Sequence, residues 1–362
     1  MFFYSSELRM LHTGNAPINT PTCSRLLAKE RAAMDDSCQR EPLFTFGVIA
    51  DVQYADMDDG LNFSQTRTRY YRSSLGLLRK ATESWTHSAA RPKFIIQLGD
   101  IIDGFNKGQG ASSRALEKVL QEFRLSAIDV HHVWGNHEFY NFSRSELFHS
   151  KLNSSVLGDS SLGGDIYAYS FSPFPGFTFV VLDGYDVSLL GVDEDSLQYH
   201  AAFNWIRKHN SNEDLNSPPG SYDDLEQRFS MFNGGFSKNQ LDWLDSVLAL
   251  TDKKHDKVTI VSHLPVHPLS TTPVSLAWNF DELLSTIRSH SSVVCFIAGH
   301  DHEGGYCLDQ STGIHHLTLE GVIETPPDSN AFGTISVYED RMVLKGFGRI
   351  PDVDILFPDT SL

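Results

Sequence analysis

An α/β fold carrying a metal centre at one end of its strands follows from two observations. From Phe44 onward, apolar β-branched runs alternate with stretches of helical period, the signature of mixed strands and helices. Five of those runs end on a metal-ligand residue: FGVIADVQ reaches Asp51, FIIQLGDIID Asp100, VHHVWGNHE Asn136, VTIVSHLP His263 and VVCFIAGHDH His300. One Asp after a strand is usually a turn former, and one His is usually a core or surface residue. Five buried strands delivering Asp, Asp, Asn, His and His to one end of a sheet make a shared multidentate site far more economical than five accidents. The number of ligands predicts two ions.

Residues 1–41 are polar, carry Cys23 and Cys38, and show no sustained period, so an N-terminal extension of poor intrinsic order is expected. Residues 42–362 read as one domain. The stretch Gln65–Trp85 sets Tyr71, Leu75, Leu78 and Thr82 at helical spacing, and Ser112–Phe123 predicts a second helix. FTFVVLDG is a further strand, ending at Asp183 outside any ligand motif, which gives Asp183 a structural role. Residues 185–235 then turn acidic and rich in Pro and Gly around a helix near Gln198–Lys208; an insertion of that size predicts a cap over a site. Ser237 is placed to cap a helix with Leu241, Leu244 and Leu248 on one face. HHLTLEGVIE, FGTISVYED and RMVLKGFGR predict consecutive strands with short turns.

With 362 residues, 40% of them hydrophobic, the chain can build a sizeable core. A formal charge of -17 argues against a nucleic-acid or anionic-membrane partner. Anionic small molecules remain compatible, because bound cations outweigh a screened distant surface. No run approaches the roughly 20 apolar residues of a membrane span. Glu7 and Arg9 interrupt the opening MFFYSSELRM before a leader of signal length forms. The four cysteines lack close pairing, and Cys295 sits inside an apolar strand. A soluble, cytoplasmic monomer without a protein partner is therefore expected.

The strand ends spell an ordered set: Asp51-Val-Gln53, Gly99-Asp100-Ile-Ile-Asp103, Gly135-Asn136-His137-Glu138, Ser262-His263-Leu-Pro265 and Gly299-His300-Asp-His302. In content and order this resembles the calcineurin-like metallophosphoesterases, from about Phe44 to about Tyr306. The resemblance implies a two-sheet α/β sandwich flanked by helices with a dimetal centre at the strand ends. It assigns Asp51, Gln53, Asp100 and His302 to one ion and Asp100, Asn136, His263 and His300 to the other, with Asp100 bridging. It places His137 toward the leaving group as a proton donor and Asp103 as the residue that orients and charges it. Donor chemistry agrees, because oxygen and imidazole without thiolate suit Mn²⁺ or Mg²⁺ better than a structural Zn²⁺ site. Two such ions about 3.5–4 Å apart activate water and stabilise phosphoryl oxygens. Glu138 reads as supporting structure. His131, His132, His267, His315 and His316 read as ordinary histidines, His267 being the one nearest an exception because it follows the SHLP turn.

Most of that family has His where this chain has Gln53, and a neutral amide oxygen favours Mn²⁺ or Mg²⁺ over softer ions. With GNHEFYN, SHLPVHP and GHDHEGGY, the DVQYAD segment resembles the manganese-dependent members that hydrolyse nucleoside diphosphate-linked compounds. The implied reaction cleaves the pyrophosphate bond of ADP-ribose, CDP-choline or CDP-glycerol to a nucleoside monophosphate and a second phosphate ester. Tyr54, Phe63, Phe139, Tyr140 and Tyr306 flank the motifs, either as stacking platforms for a base or as ordinary core and rim aromatics. Competing readings are a phosphoprotein phosphatase or cyclic-nucleotide phosphodiesterase, and a non-catalytic interaction module of the same fold. The insertion predicts a walled pocket, against the open surface of a protein phosphatase, and the intact His137/Asp103 pair argues against the module.

Overall fold

The computed structural model describes residues 41–62, 64–160, 162–220 and 224–358. Phe63, Cys23, Cys38 and all of the expected N-terminal extension except Glu41 lie outside the described residues. In chain order the strands are β1 (Phe44–Ile49), the short pair β2 (Gly60–Leu61) and β3 (Thr68–Arg69), β4 (Phe94–Gln97) and β5 (Asp129–His132). Then come β6 (Tyr169–Phe174), β7 (Phe177–Val181), β8 (Lys257–Val261), β9 (Val293–Ala298), β10 (Gly305–Leu308) and β11 (His315–Thr318). The last are β12 (Ala331–Val337), β13 (Arg341–Gly348) and β14 (Val353–Leu356).

They form two six-stranded sheets, ordered β14-β13-β12-β1-β4-β5 and β10-β11-β9-β8-β7-β6. Parallel pairing joins β1 to β4 and β4 to β5 in the first sheet, and β7 to β8, β8 to β9 and β9 to β11 in the second. Strands parallel and buried on both faces need continuous apolar sequence, which is what FTFGVI, FIIQ and VVCFIA supply. The sheets pack face to face through aromatic rings: Phe46 stacks on Phe94 at 5.3 Å, and Phe179 of the second sheet meets Phe46 edge-on at 5.1 Å. Helices cover the outer faces. Helix Ser74–His87 buries Trp85 against Phe332 of β12, and helix Lys238–Lys254 buries Leu241, Leu244 and Leu248 beside β8. Ser237 Oγ caps the latter by accepting from Gln240 N at 3.2 Å.

The helix expected over Gln65–Trp85 begins only at Ser74. Upstream, the Asn62 carboxamide oxygen accepts from the N–H groups of Thr66 and Arg67 and diverts them from a helical ladder, while Thr68–Arg69 pair with β2. The strands β2, β3, β6, β10 and β14 are additional to those expected, and within HHLTLEGVIE only His315–Thr318 is extended. Asp183 is structural: Arg144 and the backbone N–H groups of Tyr167 and Tyr185 hold its carboxylate. Among the described residues, no helix is long and apolar enough to cross a membrane.

Candidate metal centre

Asp51, Asp100, His263 and His300 stand just past the carboxyl ends of β1, β4, β8 and β9; Asn136, beyond β5, opens a short helix. Because these strands are parallel within each sheet, their carboxyl ends gather at one edge of the sandwich, where ligand sites of open α/β sheets form. Asp51, Gln53, Asp100 and His300 have φ of 52°, 41°, 56° and 70°. They are four of the seven non-glycine residues in the left-handed region among those described, at a cost of about 1–3 kcal/mol each. The surroundings hold them there. The Glu138 carboxylate accepts from Asp100 N and Ile101 N at 2.8 Å and from Gly135 N at 2.6 Å, tying the β4 and β5 loops together. The Asp51 carboxylate accepts from His300 N at 3.1 Å.

Two glycines make room for the cluster. Gly99 has φ 101°, and a Cβ there would fall 2.3 Å from His263 Nδ1; one on Gly135 would fall 2.2 Å from Asp100 Oδ1. In the space they leave, Asp100 Oδ2 lies 3.5 Å from His263 Nε2 and 3.1 Å from Gln53 Nε2, and Gln53 Nε2 lies 3.0 Å from His302 Nε2. His302 Nε2 is 3.5 Å from Asp51 Oδ1, and His263 Nε2 is 3.1 Å from His300 Nδ1. Asn136 Oδ1 accepts from Tyr185 OH at 3.1 Å and keeps a second lone pair. The structure thus brings Asp51, Gln53, Asp100, His263, His300 and His302 together, all buried except the half-buried His300, and sets Asn136 beside Asp100 and His300 in the lining of one cavity.

Each imidazole is oriented from behind. His263 Nδ1 meets Leu98 O at 2.7 Å, His300 Nε2 meets Asn233 Oδ1 at 2.7 Å, and His302 Nδ1 meets Glu324 Oε1 at 2.9 Å. All three partners are acceptors, so these nitrogens carry a proton whatever the charge of the ring, and the opposite nitrogens point into the cluster. Gln53 Oε1 is buried there without a hydrogen-bond partner. Converging imidazole nitrogens, two carboxylates and an orphaned amide oxygen fit divalent cations once His263 and His302 give up their second ring protons. Without cations, burial disfavours charge on His263 and His302, yet Asp100 and Asp51 more than offset it and push each imidazole up to about 9. Burial and the neighbouring His263 keep His300 well below its ordinary value. At neutral pH a proton on His263 therefore occupies the place a cation would take. Mn²⁺ uptake at pH 7 should release about two protons, falling toward none above pH 9. Calorimetry in buffers of different ionisation enthalpy measures that release.

His137 Nε2 faces Asp100 Oδ2 at 3.9 Å, while Nδ1 has Gly104 N at 2.8 Å and Asp103 Oδ2 at 3.4 Å. Gly104 N–H donates to Nδ1, so in the neutral ring the proton sits on Nε2, the nitrogen facing the cluster. Asp103 stands close, as expected, but Gly104 is the nearer partner. Asp103 Oδ2 has no other hydrogen-bond partner, which suits it to receive Nδ1–H when the ring is protonated.

A cavity of about 870 Å³ opens over the cluster, within the range of small-ligand sites. The insertion contributes Asp214, Asn216, Pro218, Asp224, Gln227 and Phe232 to its wall. Among the described lining residues Arg69 is the one fixed cation, against the carboxylates of Asp100, Asp214, Asp224, Asp301, Glu303 and Glu324. Such a wall repels a phosphate ester until cations are bound. Of the flanking aromatics, Tyr140 lines the cavity. Tyr54 and Phe139 are buried in the core, and Tyr306 donates or accepts at His315 Nδ1 at 2.8 Å away from the cavity. Phe232, whose ring centroid lies 5.9 Å from that of His300, was not singled out by the sequence; neither were Arg69, Asn233 and Glu324. Only Glu324 left a trace there, as an acid closing the apolar run LTLEGVIE.

Two sheets that converge their strand ends on an Asp, Asn, Gln and His cluster define a dimetal phosphoesterase. The calcineurin-like phosphoesterase profile matches residues 44–304, and the chain belongs to that family. It is 56% identical to the manganese-dependent ADP-ribose/CDP-alcohol diphosphatase of Danio rerio over 88% of this chain and 99% of that one. It is 53% identical to the human protein of that name over 88% of this chain and 94% of that one. A crystal structure of a dimetal phosphatase from Danio rerio superposes with a TM-score of 0.85 at 56% identity, covering 88% of this chain and all of the other.

Proposed function

We propose that this chain hydrolyses the pyrophosphate bond of ADP-ribose and CDP-alcohols, with two Mn²⁺ ions held by Asp51, Gln53, Asp100 and His302 and by Asp100, Asn136, His263 and His300. The observation that carries the reading is the position of this ligand cluster at the floor of a walled cavity large enough for a dinucleotide-like substrate. Relatives matching nearly end to end and carrying that activity in their names support it. The bound ions supply the Lewis acidity that activates water and neutralises the phosphoryl oxygens. In its imidazolium form His137 would give the Nε2 proton to the departing phosphate while its Nδ1–H is accepted by the Asp103 carboxylate, and the neutral ring left behind would regain a proton from water. Phe232 and Tyr140 offer ring faces to the base. Residues 42–362 act as one domain whose insertion, residues 185–235, selects the substrate. The unpaired Cys295 and Cys307 support a reducing, cytoplasmic setting, and no macromolecular partner is required.

The test is release of AMP or CMP from ADP-ribose, CDP-choline and CDP-glycerol, with Mn²⁺, Mg²⁺ or EDTA. Turnover is expected with Mn²⁺ and none with EDTA; hydrolysis confined to phosphoproteins or cyclic nucleotides would overturn the substrate assignment. Phe232→Ala should raise KM for ADP-ribose roughly tenfold, the cost of one base–aromatic stack, with little change on p-nitrophenyl esters. Equal effects on both would remove Phe232 from base recognition. Gln53→His should tighten metal binding and shift preference toward Zn²⁺, because imidazole replaces a neutral oxygen. Unchanged Mn²⁺ and Zn²⁺ titrations in that variant would show that Gln53 is not a ligand.

A further inference from the structure

His267, which follows the SHLP turn, is not part of the cluster described above. It forms a second group with Asp309 and His316, in which one ligand atom from each residue lies within 4.8 Å of the others. The three are buried, at 7%, 6% and 1% relative exposure. His316 is the anomaly, because neither of its ring nitrogens has a hydrogen-bond partner although both are shut off from solvent. A neutral imidazole has one donor and one acceptor, and leaving both unmet in the interior is a cost that native structures avoid unless something fills the site.

The neighbours leave the coordination open. His267 and His316 rings lie 4.6 Å apart between centroids, and His267 has one long contact, Leu269 N to Nδ1 at 3.3 Å. Asp309 Oδ1 accepts twice, from Ser311 N at 3.0 Å and Ser311 Oγ at 2.7 Å. Its Oδ2 accepts once, from Arg288 Nε at 2.7 Å, and keeps a free lone pair. Burial holds both imidazoles below their ordinary range, His316 down to about 3, so each offers a lone pair at neutral pH. Ser311 and Arg288 keep the Asp309 carboxyl low and ionised against the cost of its burial. Two neutral imidazoles and one carboxylate are a set that Zn²⁺ accepts in tetrahedral geometry. Bonds of about 2.0–2.1 Å would draw the ligands to roughly 3.3 Å from one another, a movement small side-chain rotations supply. Three protein ligands leave a fourth tetrahedral position for a water; Cys307, paired with His316 across β10 and β11, is not one of the three grouped ligands.

We propose that His267, Asp309 and His316 form a structural Zn²⁺ site, separate from the dimetal centre. Its location gives it a use. His316 belongs to β11, Asp309 follows the edge strand β10, and His267 lies on the loop that leaves β8 through His263. A metal there staples that loop to the sheet edge and helps fix the His263 backbone.

The test is metal counting on the full-length protein, loaded with Zn²⁺, freed of loose metal by gel filtration, and analysed by mass spectrometry. Wild type should hold one equivalent more than His316→Phe, which keeps a ring beside Phe296 but removes the ligand nitrogens, and more than His267→Asn. The second variant guards against misfolding of the first. A Co²⁺ titration should likewise lose one set of visible d–d bands in either variant while the bands of the dimetal centre persist. Equal Zn²⁺ content and equal Co²⁺ spectra in wild type and both variants would overturn the proposal and leave the three residues as a buried hydrogen-bonded group around water.

Discussion

Asp100→Ala is expected to cost more activity than any other single change at the centre. Asp100 is 1% exposed, with Oδ2 within 3.5 Å of His263 Nε2 and 3.1 Å of Gln53 Nε2, so its carboxylate touches both proposed ligand sets. Its Oδ1 accepts from His137 N at 2.8 Å and thereby also sets the start of the helix that carries Asn136 and His137. Truncating a group that only supports a ligand costs about 10–100-fold in metal affinity or activity. Removing the shared ligand should exceed that range, with both ions weakened together. Inductively coupled plasma analysis beside the rate of AMP release measures both. A variant that keeps one full metal and a near-normal rate would show that Asp100 does not bridge.

His137→Ala should leave the metals bound, because the proposed ligand set takes its atom from Asn136 and not from His137, and should lower kcat on ADP-ribose by roughly 10²-fold or more. A p-nitrophenyl ester, whose leaving group needs little protonation, should lose far less. The ratio of the two losses on equally metal-loaded protein is the informative quantity. Equal losses would mean that His137 positions phosphate or metal without donating a proton. The Nδ1 contacts add a second readout: Asp103→Asn should diminish the rate and alter its pH profile without changing metal content, since Asp103 Oδ2 lies 3.4 Å from that nitrogen and has no hydrogen-bond partner of its own.

The strands that carry the candidate ligands are legible because each is an apolar run closed by an unusual residue, and five such closures in one order are hard to produce otherwise. The same logic reached the helix behind Ser237, whose cap and leucine spacing are local signals. The left-handed backbone at Asp51, Gln53, Asp100 and His300 was not legible, because none is glycine and what holds it comes from Glu138, Gly99 and one another across the fold. The helix start was misread for a local reason: Tyr71, Leu75, Leu78 and Thr82 keep helical spacing, but Asn62 captures the backbone N–H groups of Thr66 and Arg67. Tyr54 and Tyr306 lie near the motifs in sequence, yet Tyr54 turns into the core and Tyr306 toward His315. Phe232 and Arg69 reach the cavity, and Asn233 backs His300, from distant segments, and no short-range pattern announces a residue whose role is set by the approach of another loop.

Electron paramagnetic resonance of the Mn²⁺-loaded protein, followed alongside AMP release from ADP-ribose, tests the dimetal reading most directly. Two Mn²⁺ ions about 3.5–4 Å apart across Asp100 should give an exchange-coupled spectrum that grows in step with the rate and collapses to isolated-ion lines in Asp100→Ala. Full turnover from protein showing only isolated Mn²⁺ lines, or from protein held in excess EDTA, would contradict the account.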